Sequence, residues 1–291
     1  MAAPTPVLEV TGLTKHFPAF TLNAVSFHVN PGSITGFIGR NGAGKTTTLA
    51  CLEGALQPDA GSIRVFGEDF FAHAARLKQR VAYELGGASY YQLKRLSQVA
   101  GAVARFYPSW DAPTFDAYCQ QFSLDPHQRV GELSQGMRVK FALALALSRH
   151  AELFILDEPT SGLDPASREE VLAIFRDLVA PGDKAVLFST HLASDLEKCA
   201  HDLIFIRAGR VVSQAPITAF VARYALVTAD AEKTYGLAPL GRCTSAQGER
   251  TLVARGAAEA TLAARGVDAA AASKLLERPS LDAIMACDPE S

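Results

Sequence analysis

The chain has 291 residues, 48% of them hydrophobic and 20% charged, and a formal net charge of −2. That length accommodates one large or two smaller domains, and the balance is ordinary for a folded protein. Near-neutral charge offers no broad electrostatic footprint for nucleic acid or anionic lipid, and the densest apolar run near the middle, "FALALALS", falls far short of the roughly 20 residues that span a bilayer. The start, "MAAPTPVLEV", lacks the basic residues and apolar core of a secretory signal. Five cysteines (Cys51, Cys119, Cys199, Cys243, Cys287) lie far apart with no CxxC pair, which reads as reduced thiols in a cytosolic protein.

The first predicted elements are strands. Apolar residues alternate in "VLEVTGL", and Val25, Phe27 and Val29 alternate with Ser26 and His28 in "AVSFHV". Turn signals follow at "NPG" (30–32) and "PDAG" (58–61). Between them come a small apolar strand, "SITGFIG", a glycine-rich loop and a helical segment, "KTTTLACLEGAL". "SIRVFG" and "QRVAY" are further strands. From about Leu93 to Leu147 the pattern turns helical, in "SQVAGAVARFY", "PTFDAYCQQFSL" and "MRVKFALALALSRH". "ELFILDE" is a continuous apolar run ending in two acids, as buried parallel strands read. A helix ("SREEVLAIFRDLVA"), a second buried strand ("KAVLFST"), a helix ("HLASDLEKCA") and two strands around an Ala-Gly turn ("DLIFIRAGRVV") follow.

Strands alternating with helices predict an α/β core with a mainly parallel sheet, interrupted by an inserted helical subdomain at about 88–148. After about Ala215 the pattern loosens. "ALVTAD" and "RTLVARG" can be strands and "AAEATLAARG" a helix, giving a small accessory α/β region over 216–291 that carries no chemical motif. The expected organisation is therefore a domain over 1–215 followed by that accessory region.

Gly39 to Thr46, "GRNGAGKT", fits G-x-x-x-x-G-K-[ST] and lies between a strand and a helix, the context this phosphate loop requires. Gly39, Gly42 and Gly44 let the backbone turn and, with Asn41, Ala43 and Thr47, bring successive N–H groups to phosphate oxygens at a helix start. Lys45 would reach the β- and γ-phosphates and the Thr46 hydroxyl would hold Mg²⁺. Asp157 leaves the end of a buried strand and can also hold Mg²⁺. Glu158, next to it, can polarise an attacking water; alternatively the two are solvated carboxylates at a strand end. Asp164 in "PTSGLD" can simply cap the next helix, His191 can be structural, and Phe17 in "TKHFP" can be a core aromatic or a platform for adenine.

The order of Phe17, "GRNGAGKT", "LSQGM", "LFILDE", "SGLD" and His191 resembles the nucleotide-binding subunit of ABC transporters, over residues 7 to about 214. The resemblance implies a P-loop NTPase core with an antiparallel β region at the N-terminus. It makes "LSQG" a signature whose Ser134, Gln135 and Gly136 meet the ATP held by a second subunit, so that the working unit is a head-to-tail dimer, with itself or with a related ATPase subunit. It further implies adenine stacking by Phe17, hydrolysis of ATP with Glu158 as base and His191 in support, and dimer communication through Asp164. Partners would be a separate transmembrane permease subunit and no nucleic acid, with the chain peripheral at the cytoplasmic face of the cell membrane. "RFYPSWD" (105–111) and the "LSxGM" form resemble export-type ATPases. Two departures stand out: Met137 where the family usually has Gln, and Gly86, in "ELGGASYY", where the family usually has a glutamine facing Mg²⁺ and water. Two rival readings are a soluble ABC ATPase acting on ribosomes or DNA and a non-catalytic nucleotide-sensing subunit.

Overall fold

A computed structural model describes residues 5–85, 92–245 and 248–287. They divide into two compact units, Met1–His191 with Cys199–Gln214, and Leu192–Lys198 with Ala215–Ser291. The larger begins with β1 (Leu8–Phe17) and β2 (Phe20–Val29), an antiparallel pair, then β3 (Ile34–Ile38), α1 (Lys45–Glu53), β4 (Ala60–Val65), β5 (Glu68–Asp69), α2 (Ala74–Leu77) and β6 (Val81–Leu85). The helical insertion carries α3 (Leu96–Ala104), α4 (Ala112–Gln121) and α5 (Gln135–Leu147). After it come β7 (Leu153–Asp157), α6 (Pro165–Val179), β8 (Ala185–Thr190), β9 (Asp202–Arg207) and β10 (Arg210–Pro216), while α7 (Ala193–Cys199), between β8 and β9 in the chain, falls in the smaller unit as far as Lys198.

Two sheets organise this unit: a four-stranded one in the order β2-β1-β4-β5 and a six-stranded one in the order β10-β9-β3-β8-β7-β6. In the second, β6 pairs parallel with β7, β7 with β8, and β3 with both β8 and β9. Every residue of β3 and β8 is buried, because both faces of a parallel sheet are covered. The antiparallel sheet instead shows the period of two: Leu8 pairs with Val65 and Val10 with Ile63, all turned to the core. One apolar cluster joins these side chains to Leu49 and Leu52 of α1 and to Phe37 and Ile155 of the parallel strands. That packing fixes α1, and so the loop before it. The parallel core, antiparallel N-terminal sheet and helical insertion agree with the expectation from sequence.

Caps set where the helices start. Ser134 accepts from the Met137 N–H at 3.2 Å ahead of α5, and Asp164 accepts from the N–H groups of Ala166 and Ser167 ahead of α6, whose first residue is Pro165. Asp164 thus does what the simpler reading asked of it. Its carboxyl is held below the usual range by the Ser167 side chain and then by these main-chain donors.

The smaller unit runs α8 (Ile217–Ala222), β11 (Tyr224–Thr228), α9 (Ala229–Tyr235), β12 (Pro239–Ser245), β13 (Gly248–Ala254), α10 (Arg255–Ala264), α11 (Ala269–Leu275) and α12 (Leu281–Cys287). Its antiparallel sheet has the order β11-β13-β12, and Ala225, Val227, Val253, Leu262 and Leu276 form its core. Glu232, 7% exposed, accepts from the Arg242 guanidinium and, at 2.5 Å, from the Thr251 hydroxyl, which satisfies a carboxylate that would otherwise be costly to bury. Most of α7 packs with this unit, and Glu197 on it accepts from the N–H of Leu281 at the start of α12.

The cysteine reading is corrected here. Cys243 on β12 and Cys287 at the end of α12 form a disulfide with their Cα atoms 4.8 Å apart. A separation of 44 residues hid a pair that exists only once α12 lies on β12. Cys51, Cys119 and Cys199 are free and buried, and burial pushes the Cys51 and Cys119 thiols up to about 11.

Candidate functional site: a nucleotide pocket

The glycine-rich loop leaves β3 and turns into α1. A Cβ on Gly39 would lie 2.3 Å from the Ile206 carbonyl oxygen, a main-chain atom that cannot swing aside. Gly44 has φ +109°, and a Cβ there would stand 2.9 Å from the Phe20 ring. Ala43, 6% exposed, accepts from the Gly209 N–H at 3.0 Å, so the loop is tied to the turn between β9 and β10. Lys45 opens α1 and is also 6% exposed; its ammonium donates to the carbonyls of Gly39 at 2.6 Å and Arg40 at 3.2 Å. Burial lowers its pKa, and the carboxylates of Glu158 and Asp157 oppose that shift. Beside it opens a pocket of about 600 Å³ whose lining includes Phe20, Asn41, Gly42, Thr46, Asp157 and Glu158.

The acids reach this pocket from the carboxyl end of the parallel sheet, where open α/β folds bind their ligands. Asp157 ends β7; its Oδ2 accepts from the Thr46 hydroxyl at 3.2 Å and its Oδ1 from the Ser189 hydroxyl. The two polar atoms at Thr46 and Asp157 are hard oxygen donors. Neighbouring ligands of an octahedral Mg²⁺ with bonds of about 2.1 Å stand about 3 Å apart, so this spacing suits that ion. Glu158 follows with φ 50°, a left-handed backbone in a residue other than glycine, and His191 Nδ1 lies 2.9 Å from its Oε2. The structure thus gathers Thr46, Asp157 and Glu158 around one pocket and sets His191 against Glu158.

Other predicted residues stand apart from it. None of Ser134, Gln135 and Gly136 lines the pocket; they form the cap and first turn of α5, where a Cβ on Gly136 would stand 3.2 Å from that of Ser167. Phe17 is 40% exposed and does not line the pocket, whereas Phe20, its ring centroid 6.5 Å from that of Phe17, does. Sequence reasoning passed over Phe20 and Ser189. Phe20 shares the "FPAF" turn with Phe17, and Ser189 opens the polar end of an otherwise apolar strand; those are the only signals either leaves. Gly86 lies outside the described residues, as does the side chain of Glu84.

Residues 22–161 match the family model described as "ABC transporter". The chain is 30% identical over 213 residues to the bacitracin transport ATP-binding protein BcrA of Bacillus licheniformis, a match covering 72% of this chain and 70% of that protein. The chain belongs to the ABC transporter family. It is the ATP-binding subunit of such a transporter. The Nod factor export ATP-binding protein I of Paraburkholderia xenovorans is 34% identical over 227 residues, covering 75% of this chain and 74% of that protein. A namesake from Burkholderia pseudomallei is 36% identical over 200 residues, 66% of this chain and 65% of its own length. A solved ATP-binding subunit of an ABC transporter shares the fold with a TM-score of 0.66, covering 79% of this chain and 93% of that one at 24% identity. The family match contains the phosphate loop, the signature and both acids; Phe17 precedes it, and Asp164 and His191 follow it. Among the described residues of this ATP-binding subunit no helix is long and apolar enough to cross a membrane.

Proposed function

We propose that this subunit hydrolyses ATP to power an exporter, working as a head-to-tail dimer at the cytoplasmic face of a separate membrane-spanning permease. The observation that carries the reading is the split of the machinery: Thr46, Asp157 and Glu158 line one pocket, with His191 bonded to Glu158, while the signature residues Ser134 to Gly136 lie elsewhere in the same chain. A second copy, turned head to tail, would bring its signature over this pocket and complete it.

The loop N–H groups and the Lys45 ammonium bind the phosphates, and Phe17 with Phe20 offers apolar surface to the base. Thr46 Oγ1 and Asp157 Oδ2 would hold Mg²⁺, which would neutralise charge on the nucleotide phosphates. The Glu158 carboxylate accepts the proton of the attacking water, a role worth about 10²–10⁴ in rate. His191, bonded to Glu158 Oε2, orients that carboxylate. Ser134, presented at the start of α5, adds a hydroxyl and a helix terminus toward the γ-phosphate of the partner's nucleotide, and Asp164 communicates between the two copies. The name of the Paraburkholderia xenovorans relative, Nod factor export ATP-binding protein I, supports the export direction.

The test uses two variants that each break every homodimer site, Lys45→Ala and Ser134→Arg. In a mixed dimer both lesions fall in one site and the other is whole. Random association makes about half the dimers mixed, so roughly a quarter of all sites recover under head-to-tail symmetry. ATP-dependent dimerisation should return on mixing, measured by light scattering in an otherwise turnover-dead Glu158→Gln background. Mixed dimers that form yet trap no nucleotide would sink the shared-site reading.

A further inference from the structure

Ser189 is fully buried, with 0% exposure, at the end of an apolar strand. It stands opposite Asp157 in the parallel pairing of β7 and β8. A hydroxyl has one proton to give and two lone pairs to receive with, and Ser189 places its bonds with care. It donates to Asp157 Oδ1 and accepts the Glu158 N–H at 3.0 Å, an N–H that also reaches the Ser189 carbonyl at 3.1 Å.

We propose that Ser189 is a positioning residue of the hydrolytic site, fixing the Asp157 carboxylate toward Thr46 and holding the turn that carries Glu158 to His191. This rests on the hydrolytic reading given above. A carboxylate moves as one rigid group, so tying Oδ1 to Ser189 decides where Oδ2 points, and Oδ2 is the oxygen that accepts from Thr46. Glu158 sits at φ 50°, a conformation unfavourable for a residue with a side chain that persists only where the surroundings enforce it. The doubly held N–H enforces it from one side, and the Ser161 N–H, bonded to the Glu158 carbonyl at 3.0 Å, from the other. Removing the hydroxyl frees Asp157 to rotate and halves the hold on the Glu158 N–H, while the pocket wall and Lys45 stay as they are. A displacement on the order of 1 Å in such a group can cost about 10²-fold in rate.

The test compares Ser189→Ala and Ser189→Thr with the unaltered chain. Mn²⁺, standing in for Mg²⁺, is titrated by electron paramagnetic resonance onto the chain loaded with a non-hydrolysable ATP analogue, and ATP turnover is measured separately. Ser189→Ala should bind nucleotide without divalent metal within about twofold of the unaltered chain. Its Mn²⁺ affinity should fall about tenfold, and kcat about 10- to 100-fold with KM little changed. Ser189→Thr keeps the hydroxyl and adds a methyl to a filled site, so it should recover Mn²⁺ affinity at some loss of thermal stability. A purely packing role predicts the reverse order, with Thr worse than Ala. Unchanged Mn²⁺ affinity in Ser189→Ala, or Thr no better than Ala, would overturn the assignment. Should Ser189→Ala not fold, Ser189→Cys, close in size and a weak donor, carries the same comparison. The metal titration needs no turnover, so an unaltered chain that fails to hydrolyse ATP would refute the proposed function and leave this assignment still testable.

Discussion

Arg149 offers a calculation that the structure nearly completes by itself. The residue is 8% exposed, its guanidinium donates to the carbonyls of Val81 at 2.8 Å, Lys78 at 3.1 Å and Gln79 at 3.4 Å, and it lies 4.2 Å from the centre of the Tyr107 ring. Arg149→Met keeps most of the volume and removes the charge. Leaving the buried Val81 carbonyl without its donor costs about 1–3 kcal/mol, while the two longer bonds are at partly buried carbonyls that water can serve. Loss of the ring contact adds about 1 kcal/mol. Against this, burial pushes the Arg149 pKa down, showing that the charged form is held at a cost that the apolar side chain does not bear. The losses win, and the net expectation is a destabilisation of about 2–3 kcal/mol. Trp110, the only tryptophan in the chain, packs against Phe115 at 5.6 Å in the same unit, so its fluorescence during urea unfolding reports on this unit. A change below about 1 kcal/mol would show that the carbonyl bonds contribute little beyond their desolvation cost.

Lys45→Ala should raise the dissociation constant for ATP about 100-fold by calorimetry, the equivalent of about 3 kcal/mol of charge-assisted contact to phosphate; an unchanged constant would mean the loop is not the site. Denatured without reductant, the chain should present three reactive thiols out of five cysteines, and five would refute the Cys243–Cys287 bond. Cys287→Ser should destabilise the smaller unit by up to about 4 kcal/mol, the chain-entropy value for the 44-residue separation, read as earlier melting of that unit's helices.

What could be read from sequence tracks how local the physics is. The phosphate loop works through consecutive main-chain groups, so its spacing is its mechanism, and β3, β7 and β8 declare their double burial by apolar runs. Glu158 and His191 were each ambiguous alone; they lie 33 positions apart, and only the pairing of β7 with β8 brings them to 2.9 Å. Ser189 was invisible because a serine at a strand end reads the same whether or not it bridges two carboxylate residues. In the smaller unit, β12 contains Pro239 and Gly241, residues poor in strands, and its strand state is imposed by pairing with β13. The disulfide depends on the same non-local packing and left no spacing to read.

The two units are interleaved along the chain, which crosses between them after residues 191, 198 and 214. Synthesis runs in one direction, and this gives the arrangement an order in time. Everything from the phosphate loop to His191 is made before the smaller unit exists, yet α7, beginning two residues beyond His191, finds its partner on Leu281, 84 positions after Glu197. The chain next to His191 is therefore among the last to settle, closed by a contact of long sequence separation. Truncation at residue 214 would leave α7 without that closure while sparing every phosphate-binding residue. A shortened chain would emerge with its loop formed and the segment following its histidine unfinished.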